Sequence, residues 1–426
     1  MQVYYRGRRR QACIKFSTFF DSIRERTLNT IRLAARVGRI KPSPTLAVEA
    51  RAKELKAQGK DVISLGAGEP DFDTPEHIKE AAIRAIRDGF TKYTAVDGTP
   101  SLKQAVIDKF KRDNGLDYAP DQILVSVGGK QSFFNLAQAL LEKGDEVVIP
   151  APYWVSYPDM VLLADGTPVI IATGIQQGYK ITPEQLDAVI GFPTKLVVIN
   201  SPSNPTGAVY TRKELEALGE VLRKYPDVLI ATDDMYEHIL WSEEPFCNIV
   251  NACPDLKDRT IVLNGVSKAY AMTGWRIGYC AGPKVLIAAM KKVQSQSTSN
   301  PASIAQVAAE AALNGDQACM TPMVRAFHER HDHVVARLNQ LRGVRCLPAK
   351  GTFYAFAQFK DAIANFEGIA NDVDMAELIL NEAGVALVPG SAFGAEGYMR
   401  LSFATSPAKL DQALDRLEKL LGRAVV

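Results

Sequence analysis

"TIVLNGVSKAYAMTGWRIG", residues 260–278, decides the fold. Its first seven residues, Thr260–Val266, are a run of apolar and small side chains that reads as a buried strand. Lys268 follows just past the end of that strand, and Arg276 comes eight residues later. Open α/β sheets place their chemistry at the carboxyl ends of their strands. A lone lysine at a strand end ordinarily points into water, so the rest of the chain has to give this one a purpose.

Working outward, similar runs recur through the middle of the chain. They are "ILVSVG" (123–128), "EVVIP" (146–150), "PVIIA" (168–172), "LVVIN" (196–200) and "VLIATDD" (228–234). Near-continuous hydrophobicity predicts burial on both faces, as in a mainly parallel sheet with helices outside. Between the strands, "RKELEALGEVLRKY" (212–225) spaces its leucines and Val221 for one helix face. "DTPEHIKEAAIRAIRDG" predicts an earlier helix capped by Thr74, with Pro75 in its first turn and Gly89 ending it. After residue 312 the pattern changes to long charged helices followed by shorter strands, "TFYAFAQF" (352–359) and "YMRLSFA" (398–404). That is the pattern of a smaller α+β domain.

The totals bound the function. The 426 residues are 47% hydrophobic and 23% charged, an ordinary globular balance that calls for more than one small core. A net charge of +2 argues against a dedicated nucleic-acid binder. No apolar run reaches the length of a membrane span. The charge is uneven, however: residues 1–40 carry net +8 and the remainder −6. The basic leader lacks a secretory apolar core. It reads as an organelle-targeting peptide or, favoured slightly, as an extension from an upstream start codon. The cytoplasm is the expected location, and an organelle matrix the alternative if the leader targets. Six cysteines (Cys13, Cys247, Cys253, Cys280, Cys319, Cys346) show no CxxC pairing, which suits reduced thiols. "HERHDH", with His328, His331 and His333, lacks the HExxH spacing and reads as a solvated helix face rather than a metal site.

Several strands end in a polar device. "SVGGKQS" (126–132) sets a glycine pair before a helix, where backbone N–H groups form an anion site. "NSPSNPTG" (200–207) is a loop stiffened by prolines that offers the Asn204 amide. "TDDMYEH" (232–238) brings Asp233, Asp234 and the Tyr236 phenol to a strand end, where a carboxylate needs a positive partner. A phosphate cradle, an amide, a carboxylate with a phenol, and a lysine with an arginine form one set. Pyridoxal phosphate wants all of it: a lysine for its aldehyde, a carboxylate beside its ring nitrogen, and donors for its phosphate and ring oxygen.

With these residues in view, the chain resembles the class I aminotransferases of the fold-type I pyridoxal phosphate enzymes. Within them it is most similar to the bacterial-type aspartate aminotransferases, a subgroup that includes the aspartate/prephenate aminotransferases. The resemblance runs from about residue 36 to the end. It rests on "KPSPT", "GAGEPDFDTP", "KYTAVDG", "VGGKQ", "PYWVSYP", "NSPSNPTG", "DDMYEH", "SKAYAMTGWRIG" and "MRLSFA", in family order. It implies a large cofactor-binding domain at 73–312 and a small domain at 313–426. An N-terminal arm at 36–72 would join the small domain, after a leader at 1–35.

The resemblance also implies roles. Lys268 would form the internal aldimine and shuttle the proton between substrate and cofactor. Asp233 would pair with the pyridinium nitrogen. Asn204 and Tyr236 would hydrogen-bond the ring oxygen, and Trp154 would stack on the ring. The Gly129–Lys130 backbone, Ser267 and Arg276 would hold the phosphate. Tyr93 would reach the phosphate of a neighbouring subunit, implying a homodimer with shared sites. Arg400 would clamp the substrate α-carboxylate with help from Gly68. The best-known aspartate aminotransferases add a distal arginine after the lysine motif, but this chain has none between Arg276 and Arg325. In the subgroup it resembles, Lys130 takes that part, and Thr45 lies on a segment that closes over the substrate. The implied reaction is ping-pong transamination between L-aspartate and 2-oxoglutarate. The alternatives are prephenate as an acceptor, an aromatic or kynurenine substrate, and β-lyase chemistry. The resemblance implies no metal, nucleic acid or membrane partner.

Overall fold

Why the strands read as unbroken apolar runs is visible in the computed structural model, which describes residues 31–423. Along each central strand, successive side chains enter different cores. Ile123 and Val125 face one core and Leu124 the other. Val148, Val197, Ile199, Ile230 and Val262 join the first core. Val147, Ile149, Leu196, Val198, Ala231, Ile261 and Leu263 join the second. Both faces of these inner strands are covered, so most members of the two-residue period are apolar, whereas the run 168–172 lies at the sheet edge and is only partly buried.

Thirteen strands lie among the described residues: β1 (Ile63–Ser64), β2 (Ile123–Ser126), β3 (Glu146–Ala151), β4 (Thr167–Ala172), β5 (Thr194–Asn200), β6 (Leu229–Asp233), β7 (Thr260–Gly265), β8 (Gly278–Ala281), β9 (Arg345–Cys346), β10 (Tyr354–Gln358), β11 (Val385–Ala386), β12 (Val388–Pro389) and β13 (Tyr398–Ser402). Seven of them form one sheet in the order β2-β8-β7-β6-β5-β3-β4. All its pairings are parallel except the two made by β8. The fold is therefore α/β with a mostly parallel central sheet. The first core is filled by helices that include Glu76–Arg87, Pro100–Asn114, Arg212–Arg223 and Ser303–Asn314. Gly129–Leu140, Ser156–Leu163 and Lys284–Ser295 fill the second.

A second, antiparallel sheet has the order β12-β13-β10-β9 and packs with the helices Thr321–Leu338 and Pro407–Leu421. β1 pairs in parallel with β11, and Ser402 donates its amide to the Leu65 carbonyl at 2.7 Å. Among the described residues, 41–423 form one compact unit, and 31–40 belong to another that includes the short 3-10 helix Ala35–Arg39. Residues 1–30, with most of the basic leader and Cys13, lie outside the described part. The other five cysteines are unpaired thiols. Among the described residues no helix is long and apolar enough to cross a membrane.

Three expectations need correction. Thr74 does not cap the helix after it, which starts at Glu76 with Pro75 as its N-cap. The Thr74 hydroxyl instead donates to the Ala271 carbonyl at 2.7 Å and accepts from the Trp275 indole at 3.0 Å. His331 is not on a solvated face. It is 3% exposed and accepts the Ala349 amide at 2.8 Å, while burial pulls its pKa below the ordinary value. Asp234 is not a boundary acid either. It is buried, and burial with the neighbouring Glu237 charge pushes its pKa up to about 8. The hydroxyl of Thr232 and the amide of Asn248 donate to it.

Candidate active site

The sheet topology brings the polar devices together. β2, β3, β5, β6 and β7 run the same way, so their carboxyl ends share one edge. β8 runs oppositely, so its first residue, Gly278, lies at that same edge, two residues after Arg276. A cavity of about 300 Å³ opens there. It is lined by Gly129 after β2, Trp154 after β3, Asn204 after β5, Asp233 and Tyr236 at the end of β6, and Ser267, Lys268 and Arg276 between β7 and β8. Gly68, Thr45, Lys130 and Arg400 complete the set named from the sequence, except for Tyr93.

Lys268 turns inward. Its ammonium donates to the Gly68 carbonyl at 2.5 Å. Burial, then the Arg276 cation, lowers its pKa to about 8. Roughly a tenth of this side chain is therefore the neutral, nucleophilic amine at pH 7.

Asp233 ends β6 and is held at both oxygens. The Tyr157 hydroxyl donates to Oδ2, and the Met235 amide donates to Oδ1 at 3.3 Å. Burial pushes its carboxyl above the ordinary range, and the Tyr157 bond opposes that shift. Asn200 ties the neighbouring loop to this strand. Its amide donates to the Asp233 carbonyl at 2.9 Å, and its own oxygen accepts the Asn204 amide at 2.9 Å.

Cations gather at the start of the helix Gly129–Leu140. The first-turn amides of a helix precede any helical acceptor. Gly128 before it takes φ +82°, and the space a Cβ would need there is filled by the Arg276 guanidinium. Arg276 itself sits in the left-handed region at φ 57° and donates to the Thr273 carbonyl at 2.8 Å. The Lys130 ammonium lies 5.3 Å from the Trp154 ring centre. Desolvation and the Arg276 cation hold its pKa below the ordinary lysine value. Two like charges beside a helix N-terminus suit a dianion.

Arg400 on β13 reaches the same cavity from the smaller sheet. It is 2% exposed. Nη1 donates to Asn204 Oδ1 at 3.1 Å and Nη2 to the Gly66 carbonyl at 2.7 Å, while buried Nε has no protein partner. A buried guanidinium with an unmatched donor has the chemistry to take a carboxylate.

Tyr93 lies apart. It is 91% exposed and does not line the cavity of its own chain. The cavity also contains residues that sequence reasoning missed: Ser43, Leu46, Val155, Asn200, Met235 and Tyr354. Ser43 lies within "KPSPT" and Leu46 directly follows it, so that motif carried the signal for this segment. Tyr354 sits inside an apolar strand and carried none.

Residues 60–417 match the family model described as aminotransferase class I and II. The chain is 64% identical over 396 residues to an aspartate/prephenate aminotransferase of Nitrosomonas europaea, covering 92% of this chain and all of that one. Among solved structures it is similar to an aspartate aminotransferase from Rhizobium meliloti, at a TM-score of 0.90 and 48% identity, over 93% of this chain and all of that one. It is also similar to the Thermus thermophilus aspartate aminotransferase with maleate, at a TM-score of 0.86 and 44% identity, over 92% of this chain and all of that one.

Proposed function

The chain belongs to the class I and II aminotransferases, and from that premise we propose that it transfers the amino group of L-aspartate to 2-oxoglutarate and to prephenate, with pyridoxal phosphate as cofactor. One observation carries the reading: a half-buried lysine amine, a half-buried carboxylate and a buried guanidinium converge on one cavity beside a cationic helix N-terminus.

The donor set fits the cofactor group by group. The Gly129–Lys130 backbone, Ser267 and Arg276 would hold the phosphate. Trp154 would cover the ring, Asn204 and Tyr236 would meet its oxygen, and Asp233 would meet its nitrogen. Bound there, pyridoxal phosphate supplies a ring that accepts electron density from the substrate Cα. The protein does the rest. Asp233 keeps a negative charge beside the ring nitrogen, supported by Tyr157. Lys268 Nζ anchors the cofactor as the neutral amine and carries the proton at Cα. Arg400 orients the α-carboxylate, and Lys130 with Thr45 recognises the distal one. The ammonium of Lys130 is less directional than a guanidinium, which suits acceptors of different shape such as 2-oxoglutarate and prephenate.

The reading includes a homodimer. Tyr93 is exposed on its own chain, as a residue that serves a neighbouring copy's phosphate would be.

The test is a visible spectrum of the holoprotein. L-aspartate alone should remove the cofactor band, and 2-oxoglutarate or prephenate should restore it. A band unmoved by aspartate would reject the donor. Restoration by 2-oxoglutarate alone would reject prephenate.

A further inference from the structure

Two residues proposed for the cofactor ring oxygen, Asn204 and Tyr236, are both linked to Arg400. The Asn204 link is the direct hydrogen bond already described. The other runs through Tyr354. This side chain starts β10, is 1% exposed and lines the cavity. Its hydroxyl lies 3.1 Å from the Tyr236 hydroxyl. The Arg400 guanidinium lies over its ring, 4.4 Å from the centre.

We propose that Tyr354 is a positioning residue that passes the charge of Arg400 to the Tyr236 phenol, and so couples carboxylate binding to the donor strength at the cofactor ring oxygen. This rests on the aminotransferase reading above.

The direction follows from the contacts. Either phenol can donate in the Tyr354–Tyr236 pair. A cation over a phenol ring draws electron density from it, and so strengthens its hydroxyl as a donor. Arg400 covers the ring of Tyr354, so Tyr354 donates and the Tyr236 oxygen accepts. That leaves the Tyr236 hydrogen for the cofactor, and chained donors polarise one another. Arg400 lowers the pKa of both phenols against the upward push of burial, and the bond between them lowers Tyr354 while raising Tyr236, in keeping with Tyr354 as the donor. A carboxylate on Arg400 neutralises the cation and weakens the whole chain. The other charged groups that act on these residues are Lys268 after β7, Asp233 ending β6 and Glu49 of the helix Pro44–Ala57. Space here is tight as well, because a Cβ at Gly68 would lie 3.0 Å from the Tyr354 hydroxyl. The relay and the carbonyl that holds Lys268 are therefore neighbours.

Tyr354→Phe keeps the ring under Arg400 and removes only the hydroxyl. The readout is the midpoint of the pH titration of the bound cofactor's visible absorbance, without ligand and with saturating maleate, an unreactive dicarboxylate. A weaker donor leaves the ring oxygen more basic and retains a proton near it. The ligand-free midpoint should therefore rise by about half a pH unit to one, the worth of a single hydrogen bond. The further rise that maleate causes should shrink. In a Tyr236→Phe background, the same substitution should change nothing.

Unchanged midpoints in Tyr354→Phe, with and without maleate, would overturn the relay and leave the aminotransferase reading intact. A shift that persists in the Tyr236→Phe background would also overturn it, since mere repacking acts that way. A parent protein with no visible cofactor band would overturn the aminotransferase reading, and the relay with it.

Discussion

Lys268 should titrate near pH 8 in the protein freed of cofactor, and this can be measured at the single residue. The structure supplies the cause. The half-buried amine is desolvated, the Arg276 cation adds to the lowering, and Glu69 and Asp233 pull the other way. With a pKa of about 8, roughly 9% of the side chain is neutral at pH 7, against about 0.04% for an ordinary lysine near 10.4. That is an advantage of about 200-fold in free amine, and raising the pH from 7 to 9 should add about tenfold more.

Competitive labelling with trace acetic anhydride reads this directly, because only the neutral amine is acylated. The extent of labelling at Lys268 is followed by mass spectrometry from pH 6 to 11 against an added peptide amine. The midpoint should fall near 8. Arg276→Gln removes a repelling cation, so it should raise the midpoint. Asp233→Asn removes an attracting anion, so it should lower it. A parent midpoint near 10 would refute the argument that burial and Arg276 set this amine. So would variants that move the midpoint the wrong way.

Other outcomes follow from single contacts. Lys130→Ala should cost about 10- to 100-fold in kcat/KM for aspartate and 2-oxoglutarate, the worth of a hydrogen bond to a charged group, and spare aromatic substrates. Equal losses in steady-state assays would remove Lys130 from distal recognition. Arg400→Lys should lower kcat/KM for every amino acid tested, by about 30-fold or more, because lysine cannot make the paired contact. An unchanged value for any substrate would show that its carboxylate lies elsewhere. Lys109→Met should destabilise the fold by about 3–5 kcal/mol in urea unfolding, since it strips the partner from the buried Glu237 carboxylate. Adding Glu237→Gln to it should cost less than the two single losses together.

The central sheet was legible because parallel strands covered on both faces leave an unbroken apolar signature. Their carboxyl ends were legible because polar groups there interrupt that signature abruptly. Sequence periodicity could not show β8. Its four residues, Gly278–Ala281, are too few to carry a pattern, and their antiparallel course is fixed only by β2 and β7 on either side. Tyr354 escaped for a related reason. In "TFYAFAQF" it sits where a strand's core residue would, and its packing against Phe353 is that of a core residue. Its hydroxyl beside Tyr236 and the Arg400 cation over its ring tie it to the site. His331 was misread because a histidine in a charged stretch looks solvated. Its acceptor role comes from Ala349, eighteen residues later.

What lies behind the cavity was least legible, and it explains how the cavity keeps its shape. Tyr236 and Lys268 sit on different chain segments with no direct bond between them among those described. Glu237, the residue after Tyr236, is buried and accepts from Asn264 of β7 at 2.8 Å and from Asn114 at 2.7 Å. It also pairs with Lys109, whose ammonium donates to Asn114 at 2.7 Å. Burial alone would raise the Glu237 carboxyl pKa, but Lys109, His238 and Asn114 outweigh it and hold the group ionised. One charged carboxylate thus binds the Tyr236 segment, the Lys268 strand and the helix Pro100–Asn114 to one another. Apolar side chains of the same volume would fill that space, but they would not fix direction. On the proposed reading the site aims a phenol and an amine at one ring, and hydrogen bonds to a buried charge supply that direction.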